Sequence, residues 1–158
     1  MFKSKYWGVE DWDCYGRTKN EYAWNDNDGL LCTRDDRTAN LFKLLDALYE
    51  IDSSVQVNLT YTTDENGNPY RSGYRDEYVN SRVSEEPNSY HIRGCAADIH
   101  FGNHDYSGYQ LRDMVVTAAS WFPAVKVGNE YKPLVDCLGI GVYDGWVHVD
   151  TRGYTSRW

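Results

Sequence analysis

The chain has 158 residues, 24 of them acidic and 16 basic, for a net charge of −8. That length suits a single domain with a real core, and 41% hydrophobic with 25% charged residues is a globular balance. The negative charge argues against nucleic acid and against an anionic membrane surface, both of which need clustered Lys and Arg, and no apolar run approaches the ~20 residues of a membrane span.

Residues 1–35 are polar and aromatic without a sustained period, and NDNDGL is a turn signal, so an irregular N-terminal wrap is expected before a core over 36–158. A helix follows, with Asp36 or Thr38 as its cap and Leu41, Leu44, Leu45 and Leu48 at i, i+3, i+4 and i+7. VQVNLTY over 55–61 alternates and reads as one strand. DENGNP is a loop, 74–83 a short helical segment, SEEPNS a second loop, and AADIHF over 96–101 a buried strand. A second helix is expected over 107–121, with Tyr109, Met114, Val115, Ala118 and Trp121 on its apolar side and Pro123 after its end. Short strands are expected around 124–127, 138–143 and 146–150. The strands are too widely spaced for a βαβ series, which predicts an α+β fold: a small antiparallel sheet flanked by helices.

Fourteen Tyr and six Trp make the chain aromatic-rich. Such side chains suit both cleft walls and half-buried core edges. Cys14, Cys32, Cys95 and Cys137 include no C-x-x-C pair. Free thiols packed as small hydrophobes are expected, with a Cys14–Cys32 link as the alternative in an oxidising setting. The start MFKSKYWGVEDWDCY lacks the roughly 7–15-residue apolar stretch of a signal peptide. Cytoplasmic synthesis is therefore the expectation.

Chemistry concentrates in Ser89-Tyr90-His91-Ile92-Arg93-Gly94-Cys95-Ala96-Ala97-Asp98. His91 and Asp98 flank a glycine turn leading into a strand, and imidazole nitrogen with carboxylate oxygen is a good zinc donor pair. A catalytic zinc site takes three protein ligands and keeps one position open. Val147-His148-Val149-Asp150 supplies the third: His148 in an alternating strand, with Asp150 on the same face to orient the ring. His100 and His104 are separated by a helix-breaking FGN and are expected as exposed loop histidines.

Ser89, His91, Gly94, Ala96 and Asp98 reproduce SxHxxGxAxD, and here the chain resembles the M15 zinc peptidases. That family includes D-Ala-D-Ala carboxypeptidases, VanX- and VanY-type D,D-peptidases and phage L-alanyl-D-glutamate endolysins. Its fold is shared with the hedgehog signalling domain. Gly139-Ile140-Gly141-Val142-Tyr143 and Val147-His148-Val149-Asp150-Thr151-Arg152 resemble the family's GxGxY…VHxDxR ending. Ser72-Gly73-Tyr74-Arg75 resembles its upstream SGYR element, and Asn80 falls where an asparagine is common.

The resemblance implies a hedgehog/DD-peptidase-like fold, one Zn²⁺ per chain on His91, Asp98 and His148, and hydrolysis of a peptide bond in peptidoglycan. It places Arg75 as a substrate-binding and oxyanion-stabilising guanidinium. Ser89, Tyr90, Tyr143 and Trp146 would then help form the substrate cleft. The family's general base stands three residues before the last histidine; here that residue is Gly145. Asp144, one step earlier, is the candidate base, against the reading of Asp144-Gly145 as an ordinary hairpin turn. The implied partner is a peptidoglycan stem peptide met by a monomer. It would be reached at the cell wall through holin-type release or as part of a phage particle. The alternative is a non-catalytic zinc-containing binding or structural module.

Overall fold

The computed structural model describes residues 1–158. In chain order the elements are β1 (Phe2–Lys3), β2 (Trp24–Asn25), β3 (Leu31–Thr33), α1 (Asp36–Ile51), β4 (Val55–Val57), β5 (Leu59–Thr63), β6 (Pro69–Arg71) and α2 (Glu77–Val83), followed by β7 (Ala96–Phe101), α3 (Gly108–Ala119), β8 (Val125–Val127), β9 (Glu130–Lys132), β10 (Gly139–Val142), β11 (Val147–Asp150) and β12 (Ser156–Arg157). This is a mixed α+β fold with three α-helices and several small sheets. The largest sheet has the order β12-β10-β11-β7-β4, with β7 between β11 and β4.

Side chains of a strand alternate between its two faces. Ala97, Ile99 and Phe101 of β7, Val147 and Val149 of β11 and Ile140 of β10 are buried on one face with Leu41, Leu44, Leu45 and Leu48 of α1 and Leu111, Val115 and Ala118 of α3. The other face carries Asp98, His100, His148 and Asp150, so the polar set of each strand comes from the same alternation that builds the core.

The N-cap of α1 is Asp35, not Asp36 or Thr38. Its extended backbone lets the carboxylate accept the Thr38 N–H at 2.9 Å. The Thr38 hydroxyl instead donates to the Gly94 carbonyl at 2.8 Å, tying α1 to the turn that enters β7. In α3 a Ser107–Gln110 capping box sets the start. Its buried stripe is Leu111, Val115 and Ala118, whereas Tyr109 and Trp121 are exposed. Tyr109 stands two residues before the stripe begins, about 200° around the helix, and Trp121 lies beyond the last helical residue.

The strand expected over 55–61 breaks at Asn58. The Asn58 N–H donates to the Asp98 carbonyl at 2.8 Å and the Asn58 carbonyl accepts from Ser72 N–H at 2.7 Å, and the chain then leaves the large sheet for the β5–β6 hairpin. The N-terminal wrap is more regular than its sequence suggests. It holds a three-stranded sheet, β1-β3-β2, and buries Trp7 and Trp12. The Trp12 indole N–H donates to the Ala96 carbonyl at 3.0 Å and the ring meets Phe42 edge-on at 5.2 Å. All four cysteines are buried free thiols. No helix is long and apolar enough to cross a membrane.

Candidate metal centre

The antiparallel register of β7 and β11 sets His148 directly opposite Asp98, on the face away from the core. His91 arrives from the turn before β7. Ser89 Oγ accepts the His91 N–H at 3.2 Å and the His91 carbonyl accepts from Gly94 N–H and Arg75 N–H, which fixes the turn. Gly94 has φ +70, and a Cβ there would lie 2.3 Å from the Tyr22 ring. Glycine is required on both counts.

His91 Nδ1 lies 2.7 Å from the Gly73 carbonyl. A carbonyl only accepts, so Nδ1 carries the proton and Nε2 keeps its lone pair. Nε2 lies 3.4 Å from Asp98 Oδ1. His148 Nδ1 lies 3.0 Å from the same oxygen, and its Nε2 lies 2.7 Å from Asp150 Oδ2. Asp150 is in turn gripped by Arg152, whose Nε and Nη2 each donate at 2.8 Å. Asp98 Oδ2 faces the other way, accepting from Ser72 Oγ at 2.6 Å and Arg75 Nη2 at 3.3 Å.

His91, Asp98 and His148 therefore turn one donor atom each toward a common point, all within 4.8 Å of one another. The far atom of each ligand is already held: His91 by a carbonyl, His148 by a carboxylate, Asp98 by Ser72 and Arg75. Such outer contacts orient metal ligands and fix their tautomers. Two nitrogens and a carboxylate oxygen suit zinc among other divalent ions. The group could hold a metal ion, and the three residues expected from the sequence are the ones brought together.

In the metal-free cluster the charged groups compensate one another. Burial pushes the Asp98 carboxyl up, but His91 and His148 outweigh it and hold Asp98 far below the usual carboxylate range. Burial pushes His148 down, but Asp150 and Asp98 on its two nitrogens raise it to about 9. Burial lowers His91 more than Asp98 raises it. Asp150, raised by burial but held by Arg152 and His148, falls to about 2.

A cavity of about 900 Å³ opens beside Asp98. Arg75, Ser72, His100, Trp146 and Asp144 lie along its wall, as do residues 59–62 of β5. Arg75 is buried, its Nη1 donating to Asn80 at 3.3 Å and its Nε without a partner. Asp144 is exposed in the four-residue turn between β10 and β11, closed by the Tyr143 N–H donating to the Trp146 carbonyl at 3.1 Å, and Gly145 there has φ +79. It thus occupies a hairpin turn and the cavity rim at once. Trp146 stacks on Tyr143 at 4.2 Å, but Tyr143 is not among the cavity-lining residues. Neither is Tyr90, whose ring lies over the Arg152 guanidinium at 4.4 Å.

His100 is not a loop residue. It is half-buried in β7, with Nδ1 2.6 Å from Asn58 Oδ1. AADIHF continues its alternation through position 100, which puts His100 on the Asp98 face. His104 is exposed and pairs with Asp52 at 2.7 Å.

Sequence reasoning overlooked the hydroxyl of Ser72, the Gly73 carbonyl and Trp158 as site components. Trp158 lies 5.3 Å from the His148 ring and donates its indole N–H to Tyr143 Oη at 3.1 Å. A Cβ on Gly141 would meet that indole at 2.4 Å, so the glycine makes room for it. The signal for Ser72 and Gly73 was the SGYR element, which drew attention to its arginine alone.

The fold and site define a mixed α+β protein with a buried His–Asp–His group that could hold a metal ion. Comparison with family models, with characterised proteins and with solved structures finds no match to this chain.

Proposed function

We propose that the chain is a zinc-dependent peptidase that hydrolyses a peptide bond in bacterial peptidoglycan, with the hedgehog/DD-peptidase-like architecture its motifs resemble. The observation that carries the reading is the convergence of His91 Nε2, Asp98 Oδ1 and His148 Nδ1, with Asp98 on the wall of an open cavity. The SxHxxGxAxD and VHxDxR patterns supply the substrate class. Zinc, when bound, contributes Lewis acidity and a water acidic enough to react near pH 7.

The chain's own residues supply the rest. Arg75 brings a buried cation to the cavity wall, suited to a substrate carboxylate or to charge developing on the scissile carbonyl oxygen. Asp144 at the rim takes a proton from the attacking water and returns it to the leaving amine. Trp146 offers a flat wall for the peptide. Water adds across the C–N bond, giving one new carboxylate and one new amine. The cell wall is the place of action.

A second reading, a non-catalytic zinc-containing recognition module, is favoured by one observation: Gly145 stands where the family's general base would be. Digestion of purified sacculi with the zinc-loaded chain and with His148→Ala, followed by mass analysis of the muropeptides, separates the two. The peptidase reading expects one class of bond cut by the parent chain and none by the variant. Unchanged muropeptides from the zinc-loaded parent would overturn it in favour of the module.

A further inference from the structure

β5 hydrogen-bonds to one strand only, β6. The N–H and C=O groups of a strand point alternately to its two sides, so part of those in Leu59–Thr63 face an edge that no strand covers, while the Thr62 carbonyl accepts from the Thr60 hydroxyl at 2.7 Å and the Thr63 carbonyl from Arg82 at 3.2 Å. That edge is not in open solvent alone: Leu59, Thr60, Tyr61 and Thr62 line the same cavity as Asp98, Arg75 and Trp146. Exposed edges are normally blunted by Lys, Pro or other charges. The sequence of β5 is LTYTT, with no Lys, Pro or charge, although its register on β6 shifts between Leu59 and Thr63. Leu59 is 56% exposed and Tyr61 fully so, apolar side chains left uncovered beside the site.

The edge is also locked to the metal ligand. Asn58, immediately before β5, donates its N–H to the Asp98 carbonyl at 2.8 Å, while Asp98 N–H donates to the Ser72 carbonyl at 3.0 Å and Ser72 N–H to the Asn58 carbonyl at 2.7 Å. The three backbones close a ring of hydrogen bonds, so the position of β5 relative to Asp98 is set by the main chain.

We propose that the free edge of β5 is a docking rail on which an extended peptide adds as a further strand. It would be held by main-chain hydrogen bonds to residues 59–62, would cover Leu59 and Tyr61, and would carry its scissile bond past Asp98. Strand addition draws affinity from backbone groups and selects weakly among side chains. The substrate is then an extended peptide with free backbone amides rather than a compact dipeptide. This rests on the peptidase reading and adds to it the way substrate is held.

Amide hydrogen exchange on the zinc-loaded chain, with and without excess soluble stem peptide, tests it while cleavage of the same peptide is followed by mass. Edge-facing amides in 59–62 are expected to gain roughly tenfold protection or more. Tyr61→Pro, which removes one N–H from the side of the strand away from β6, is expected to weaken peptide binding roughly tenfold with zinc content unchanged. Cleavage without protection at 59–62 overturns the rail and leaves the peptidase standing. Neither protection nor cleavage overturns both.

Discussion

His148 and Asp98 are direct register partners across β11 and β7, with Nδ1 and Oδ1 3.0 Å apart. The same register buries Val147, Val149, Ala97 and Ile99. A slip of one residue would exchange site for core, so the cluster is as firmly specified as the core beneath it. Ala at either position removes a ligand without touching the packed face. His148→Ala is expected to retain the parent's circular dichroism and to lose stoichiometric zinc on elemental analysis after dialysis. Undiminished zinc in the variant would contradict the ligand assignment.

Asp150 fixes the His148 ring from behind and is itself held by Arg152. Asp150→Asn keeps the shape and removes the charge. Zinc affinity should fall about 10–100-fold, as read by competition with a chromophoric chelator, with the fold unchanged. An unaltered affinity would mean that the ring is oriented by packing against Trp158 alone.

The pH dependence follows from His148. In the metal-free chain Asp150 and Asp98 raise it to about 9 against the pull of burial, above its unfolded value of about 6.5. The folded state then binds more protons in that window. The stability contributed by His148 is fully present below pH ~6.5 and is lost as pH rises through about 9. The melting temperature of the metal-free chain should fall across that range. Zinc must displace the proton, so binding at pH 7 should release about one proton, His91 being already neutral. Titration calorimetry in buffers of differing ionisation heat measures this, and zero release would contradict it.

Much of the site was legible in the sequence because its ligands sit in strands whose alternation is strict. HVD in β11 and ADIH in β7 carry core and site on opposite faces, and register then makes the pair. Asp35 was overlooked as a cap because Asp35 and Asp36 are chemically alike and only the backbone angle at 35 chooses between them. Asn58 breaks its strand for a reason far away in sequence, the Asp98 and Ser72 backbones. The N-terminal wrap looked irregular because β1, β2 and β3 are two or three residues long, too short to show a period. The FGN after His100 suggests a loop, although the alternation of AADIHF runs through it.

Gly94 sets the turn that delivers His91. Gly94→Ala would meet both the φ of +70 and the Tyr22 ring. A loss of about 2–4 kcal/mol is expected, measured from urea midpoints, together with weaker zinc binding. A variant of parental stability would show that the turn tolerates a side chain.

Trp12 joins the wrap to the core through Phe42 and the Ala96 carbonyl. Trp12→Ala should cost about 3–5 kcal/mol by chemical denaturation. A loss under about 1 kcal/mol, the scale of an ordinary surface change, would mean that the first 35 residues fold apart from the rest.

The most direct test adds zinc stepwise to the metal-free chain while new amino termini released from purified sacculi are counted. Activity should rise linearly and level off at about one equivalent, and His91→Ala, Asp98→Ala and His148→Ala should each stay at baseline. Cleavage that is independent of zinc, or a zinc-saturated chain that releases no amino termini, would contradict the account.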